Sequence, residues 1–212
     1  MRRLTSIVAL NEEGAIGVEN HLPWRIKTDM DFFRKMTLNN LVIMGRRTFD
    51  SLGSKCLPYR KNIVVTHGFR MFPVSKTCMN AGSINEALAL ASDRKLVKEE
   101  VFVIGGATMY AQFAPYADRY LITDVNKHVE KADTFFDKSL LGSKEEWSIK
   151  KIMSCEPNDQ GDEVGFSIYE MSSKSPERFQ RTRELALQSY RSRKQSASVS
   201  RQHLHQQSCL NS

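Results

Sequence analysis

No stretch of this 212-residue chain approaches the roughly 18 consecutive apolar residues of a membrane-spanning helix. The opening "MRRLTSIVAL" starts basic but has too short an apolar run for a secretory signal. A cytoplasmic protein with no membrane partner is therefore expected. Cysteine is sparse. Cys56, Cys78, Cys155 and Cys209 form no C-x-x-C and no paired Cys/His spacing, which argues against a zinc site and a thioredoxin-like dithiol. Reduced, structurally incidental thiols and no bound metal are expected. The chain also lacks a Walker loop, a Ser/His/Asp arrangement and a G-x-G-x-x-G fingerprint, so most hydrolytic chemistries lose first place.

Net charge is present but unevenly placed. Of the formal +7, residues 172–212 hold eight Lys or Arg against two Glu, which leaves the first 171 residues close to neutral. A basic tail of this kind is compatible with nucleic acid or an acidic surface, but a solvated extension is the stronger reading. The tail is rich in Ser, Gln and Arg and nearly empty of β-branched residues. Phe179, Leu185, Leu187 and Tyr190 make a poor apolar stripe from Pro176 to about Arg193, so disorder or a loosely docked helix is expected there.

Residues 1–171 alternate short β-rich runs with helical patterns, as an α/β sheet with crossover helices requires. Strands are expected at "LTSIVAL", "LVIM", "NIVVT", "VFVIG" and "YLITDV", and helices at Asp29–Met36, Arg47–Leu52, Ile84–Ala91 and Thr108–Phe113. "WSIKKIMSC" and "GFSIYEMS", joined by the turn-rich "EPNDQGDEV", read as an antiparallel closing pair on a mostly parallel sheet.

Three segments carry candidate chemistry. In "NHLPWRIKTDMDFFRKM", Ile26, Met30, Phe33 and Met36 form an apolar stripe, and Asp29 falls within it. Thr28 as an N-cap would put Asp29 in a first turn, where the helix dipole favours an acid. Alternatively, Asp29 lines a pocket and holds a cationic or amidine-like ligand group, since a buried charge persists only with a partner. "LVIMGRRTFDSLG" is a strand, Gly45 and a helix opening with Arg46, Arg47 and Thr48, a set suited to phosphate. "VFVIGGATMYAQF" puts Gly105 and Gly106 at a second strand-to-helix turn, where the backbone can approach a ligand closely. Between them, Arg60 stands at a strand entrance, where it suits a substrate carboxylate, and Thr66 and His67 stand at that strand's exit.

Taken in order, "SIVALNEEGAIGVENHLPW", "TDMDFFRKMTLNN", "VIMGRRTFDSLG", "LPYRKNIVV", "VFVIGGATMYAQF", "LITDV" and "KADTFF" closely resemble dihydrofolate reductase, the bacterial form more than the vertebrate one. The resemblance covers roughly residues 4–171 and is jointly specific. It implies a dihydrofolate reductase-like α/β fold, a central mostly parallel sheet with an antiparallel C-terminal strand pair and flanking helices. A dihydrofolate reductase domain would occupy residues 1–171, with 172–212 as the tail.

The implied activity is hydride transfer from NADPH to C6 of 7,8-dihydrofolate with protonation at N5. Asp29 would be the pterin-binding carboxylate, bonded to Thr123, with Trp24 holding a water nearby. Ile7, Val8, Met30, Phe33, Leu52 and Ile104 would contact the pterin and benzoyl rings, and Arg60 the substrate α-carboxylate. Arg46, Arg47, Thr48, Thr66 and His67, with Gly106, Ala107, Thr108 and Met109, would hold the cofactor phosphates. Ala9, Ile16, Gly17, Asn20, Gly45, Ile104, Gly105 and Tyr110 complete the implied cofactor site, with the Gly105–Gly106 peptide cis. The loop Asn11–Ile26 would close over the nicotinamide.

Met30 stands where bacterial forms commonly carry Leu, Phe32 replaces a bulkier aromatic, and "GSKCLPYRKN" departs from the usual Gly-Arg-Pro-Leu-Pro pattern. These changes, with the tail, suit a trimethoprim-insensitive version among antifolate-binding enzymes. A monomer is expected, without nucleic acid. The alternatives are a pyrimidine-type reductase on the same fold, for which Arg60 has no carboxylate duty, and a basic nucleic-acid module working through the tail.

Overall fold

The computed structural model describes residues 3–67, 75–93, 95–96 and 100–210, with side chains of the last helix described to Ala197. In chain order it contains β1 (Arg3–Leu10), β2 (Ala15–Gly17), α1 (Lys27–Thr37), β3 (Leu41–Gly45), α2 (Arg46–Ser51), β4 (Lys61–Val65), β5 (Cys78–Ala81) and α3 (Ile84–Ala91). β6 (Glu100–Val103), α4 (Ala107–Phe113), β7 (Arg119–Val125), β8 (Thr134–Phe135), β9 (Trp147–Cys155), β10 (Phe166–Ser173) and α5 (Pro176–Leu210) follow.

Eight strands form one sheet in the order β5-β4-β3-β6-β1-β7-β10-β9. Every pairing from β5 to β7 is parallel, and β10 pairs antiparallel with both β7 and β9. The strand residues explain why both faces are covered. In β3, Leu41 and Ile43 point to one face and Val42 and Met44 to the other, and all four are fully buried. Phe32, Phe33 and Met36 of α1 and Phe49 of α2 cover the face of Val42 and Met44. Helices α3, α4 and α5 cover the opposite face with Leu88, Phe113, Phe179 and Leu187 among others. Ser83 caps α3 by accepting from the Glu86 N–H at 3.1 Å, while the Glu86 carboxylate accepts from the Gly82 N–H at 2.9 Å.

Three expectations need correction. Thr28 is not the N-cap of α1. The helix begins two residues earlier, at Lys27 after Ile26, which offers no side-chain acceptor. Second, Cys56 and Cys78 are disulfide-bonded, with Cα atoms 6.1 Å apart, while Cys155 is free and the Cys209 side chain lies outside the described residues. Spacing could not show this pairing. Parallel β4–β5 register sets Cys78 opposite Asn62, and the Asn62 amide ties down Leu57 N–H at 3.0 Å, bringing the neighbouring Cys56 alongside.

Third, the tail is a helix of 35 residues that starts with Pro176, a residue suited to a first turn, and its first half is firmly seated. Phe179 and Leu187 are buried, with Phe179 against Trp147 at 6.0 Å between ring centroids. The apolar stripe understated the docking because its main anchor is polar. Arg183, 2% exposed, donates to Asp118 Oδ2 at 2.9 Å and to the Tyr116 carbonyl at 2.6 Å. β10 also runs to Ser173, two residues beyond the expected domain limit.

Candidate active site

A cleft opens at the C-terminal ends of β1, β3 and β6, bounded by α1, α2 and the loop between β1 and α1. The sheet contributes Ile7, Val8 and Ala9 from β1, Thr123 from β7, and Ile104 with the two glycines after β6. Met30 and Phe33 form the α1 wall, and Thr48 and Leu52 the α2 wall. Counting its open mouth, the cleft encloses about 1030 Å³.

Asp29 is the one ionisable side chain of α1 that the fold buries, at 8% exposure. It stands in the first helical turn, where the dipole favours an anion, yet it faces the cleft. Its only hydrogen-bond partner among the described residues is Thr123, whose hydroxyl donates to Oδ1 at 2.5 Å. Burial raises its pKa above the ordinary carboxylate range, the Thr123 hydroxyl opposes this, and the Asp162 charge adds to the rise. Tyr110 backs the site. Its buried hydroxyl donates to the Ile7 carbonyl at 2.8 Å, and burial followed by the Asp29 charge pushes its pKa up. Trp24 lines a side cavity shared with Asp29 and Met30, and its Nε1 is buried without a hydrogen-bond partner among the described residues.

Arg60 lies behind the α1 wall at 8% exposure, its guanidinium 6.0 Å from the Phe33 ring centroid. It donates to the Pro58 carbonyl at 3.0 Å and to Thr37 Oγ1 at 2.9 Å. No carboxylate meets it among the described residues. Burial, then Arg34, holds its pKa below the usual guanidinium value.

Two helix starts converge on the far part of the cleft. Neither Gly45, ahead of α2, nor Gly106, ahead of α4, provides a side-chain cap. The Gly105–Gly106 peptide is cis, and the Gly45 N–H donates to the Gly105 carbonyl at 2.8 Å. A Cβ on Gly106 would stand 3.4 Å from Thr48 Oγ1, so the two starts nearly touch. Register between β3 and β4 sets Gly45 opposite Val65, so α2 starts with Arg46 and Arg47 at the strand end that Thr66 and His67 follow. The Arg46 Nε–H is also shared between the two carboxylate oxygens of Asp50, at 2.8 and 2.9 Å. The half-buried Ala107 and the exposed Thr108 start α4. Met109 is different, because its side chain is buried in the core and its N–H donates to the Gly106 carbonyl at 2.8 Å.

The loop over the cleft supplies Ile16, Gly17 and Asn20, and it is pinned at several points. Glu19 N–H donates to Asp133 Oδ2 at 2.7 Å, Asp133 N–H to the Gly17 carbonyl at 3.2 Å, and Arg25 N–H to Glu163 Oε1 at 2.9 Å. Sequence reasoning missed four lining residues, His21, Leu22, Ser51 and Thr134. The first two lie in the loop already identified, and Ser51 precedes Leu52. Thr134 reaches the cleft through a β2–β8 pair too short for periodicity to reveal.

A family model described as dihydrofolate reductase matches residues 3–171. The chain is 33% identical over 168 residues to dihydrofolate reductase of Staphylococcus haemolyticus, covering 79% of this chain and 95% of that relative. It is 39% identical over 140 residues to the Bacillus subtilis enzyme, covering 64% and 78% of the two. It is also 36% identical over 147 residues to dihydrofolate reductase type 9 of Escherichia coli, covering 68% and 81%. The solved dihydrofolate reductase of Enterococcus faecalis, complexed with NADP(H) and an inhibitor named RAB-propyl, superposes with a TM-score of 0.68 at 26% identity, over 81% of this chain and 96% of that one. With the family model spanning nearly all of the sheet, and a buried acid and two glycine-led helix starts around one cleft, this chain belongs to the dihydrofolate reductase family.

Proposed function

We propose that the chain reduces 7,8-dihydrofolate to 5,6,7,8-tetrahydrofolate with NADPH, through hydride transfer to C6 and protonation at N5. The observation that carries this reading is the buried Asp29 carboxylate, which has one hydroxyl partner and an apolar wall in front of it. Such a group accepts hydrogen bonds from a ring N–H and an adjacent amino group, which the pteridine presents side by side. Ile7, Val8, Met30, Phe33, Leu52 and Ile104 hold the flat rings. Arg60, buried without an acid, meets the glutamate α-carboxylate and favours folate over a pyrimidine substrate lacking one.

The donor set beside the two glycine-led helix starts fits a diphosphate. Arg46, Thr48 and the first residues of α4 hold it, and Arg46, Arg47, Thr66 and His67 suit a further 2′-phosphate. NADPH supplies the hydride when bound. The loop of residues 11–26 excludes bulk water over the reacting atoms, and Trp24 Nε1 orders the water that reaches Asp29.

The first test follows NADPH absorbance after adding dihydrofolate, for the wild type and Asp29→Ala. Rapid oxidation by the wild type and near-absence in the variant supports the assignment. A folded wild type that consumes no NADPH moves a pyrimidine-type reductase to the front.

Trimethoprim insensitivity is a second proposal, motivated by Met30, which lines the cleft beside Asp29 at 48% exposure. A normal trimethoprim inhibition curve would end it. The enzyme is proposed to act as a monomer in the cytoplasm without nucleic acid. No described helix is long and apolar enough to cross a membrane.

A further inference from the structure

Helix α1 presents Asp29 to the cleft, yet its own sequence leaves its N-terminus uncapped. The missing acceptors come from the turn between β9 and β10. Lys27 N–H donates to the Gly161 carbonyl at 3.2 Å, and Thr28 N–H donates to Asp162 Oδ1 at 2.8 Å. The Thr28 hydroxyl donates to Asp162 Oδ2 at 2.6 Å. Gly161 has φ +117°, and a Cβ there would stand 3.2 Å from the Lys27 Cβ, so the close approach requires glycine. Asp162 is 1% exposed, and its carboxylate also accepts from Asn158 Nδ2 at 2.9 Å and the Cys155 thiol at 3.7 Å.

We propose that Asp162 is a positioning residue for Asp29, capping α1 from the β9–β10 turn and setting a second carboxylate beside the one in the cleft. The assignment rests on the reading of Asp29 as the substrate-binding acid. Burial alone pushes the Asp162 carboxyl up, but Thr28, Asn158 and Cys155 together hold it below the ordinary range, so it stays ionised. Two nearby cations pair elsewhere. Lys27 pairs with Asp31 in solvent at 3.3 Å, and Lys127 pairs with Glu163, which also accepts from Arg25 N–H. Arg25 and Lys27 border the side cavity that Asp29 shares. From the other elements, α4 offers Tyr110, whose hydroxyl is committed to Ile7, and β7 offers Thr123. Asp162, with no ion-pair partner among the described residues, therefore acts on Asp29 as a like charge and makes it a more basic acceptor for ring N–H donors.

The test titrates the carbon-13-labelled Asp29 carboxyl in the ligand-free full chain by NMR, alongside the pH profile of kcat/KM for dihydrofolate. In Asp162→Asn, the Asp29 midpoint and the acid limb of the profile both move to lower pH. Asp162→Glu keeps the charge and a midpoint near that of the wild type, while KM rises about fivefold as the cap loosens. An Asp29 midpoint unchanged in Asp162→Asn overturns the proposal, because a merely structural turn residue lowers stability without moving that titration. If Asp162→Asn does not fold, Thr28→Ala takes its place. Its KM rises severalfold with an unmoved midpoint if the cap positions Asp29, and an unchanged KM overturns the assignment. A moved midpoint in a protein that consumes no NADPH sinks the substrate reading and leaves the coupling standing.

Discussion

Buried charges occupy two regions of this molecule and are treated in opposite ways. At the end of the sheet away from the cleft, Arg183 meets Asp118 at 2.9 Å, and Arg119 meets Glu100 at 3.1 Å and Glu170 at 2.7 Å. At the cleft, Asp29 has a single hydroxyl and Arg60 has a hydroxyl and a carbonyl, with no opposite charge on either among the described residues. A paired buried charge fixes one arrangement of the chain, because losing either partner strands the other. An unpaired one is a standing cost to the ligand-free protein, which a ligand of complementary charge relieves. On the proposed function, the contrast separates what holds the fold from what waits for substrate.

The sharpest way to break the comparison is Asp29→Asn. Loss of the anion is expected to lower kcat/KM for dihydrofolate by about 10²- to 10⁴-fold. The same variant should raise the melting temperature of the ligand-free protein near pH 7. The sign follows from the raised pKa of Asp29: its contribution is fully present below the unfolded-state value and is lost as pH rises through the folded-state value. A lower melting temperature would show that Asp29 is structural.

On the paired side, Arg183→Ala is expected to cost about 3–5 kcal/mol in urea unfolding, with kcat per folded molecule unchanged. Adding Asp118→Leu should return much of the loss, and no return would mean that Arg183 acts through packing alone. Arg60→Gln should raise KM for dihydrofolate about 10- to 100-fold and leave kcat within about twofold, because a charge-assisted bond to substrate is lost. Acid should weaken the paired region through Glu170 and the cap on α1 through Asp162. Glu170 and Asp162 sit below the ordinary range, so their contributions are present above the unfolded-state values and vanish as pH falls through the folded ones. Fluorescence-monitored unfolding between pH 6 and pH 3, compared with Glu170→Gln, reads this directly. Removing the chain after Ala197 is the smallest change and should alter stability by less than about 0.5 kcal/mol.

Much of this was legible in the residues. β-rich runs alternating with helical periods marked most strands of the central sheet, and the β9–β10 hairpin followed from two apolar runs around a turn-rich segment. Asp29 stood out because an acid broke an apolar stripe. β2, β5 and β8, of three, four and two residues, are too short for a period to be read. The Cys56–Cys78 link depends on which strands become neighbours, and the seating of α5 depends on an arginine that any hydropathy reading places in solvent. The cap on α1 was misread for a related reason, since its acceptor lies in a turn more than a hundred residues away in the chain. Local patterns report what a segment wants to bury, while partners supplied from across the fold stay hidden.

The seating of α5 also fixes which way a handle would point. Its docked half lies on the sheet face opposite α1, and Lys194 reaches Glu86 of α3 at 3.8 Å rather than the cleft. A dye or bead coupled along the exposed side of this helix would leave the substrate entrance clear, so the enzyme can be immobilised by its tail and assayed while it works.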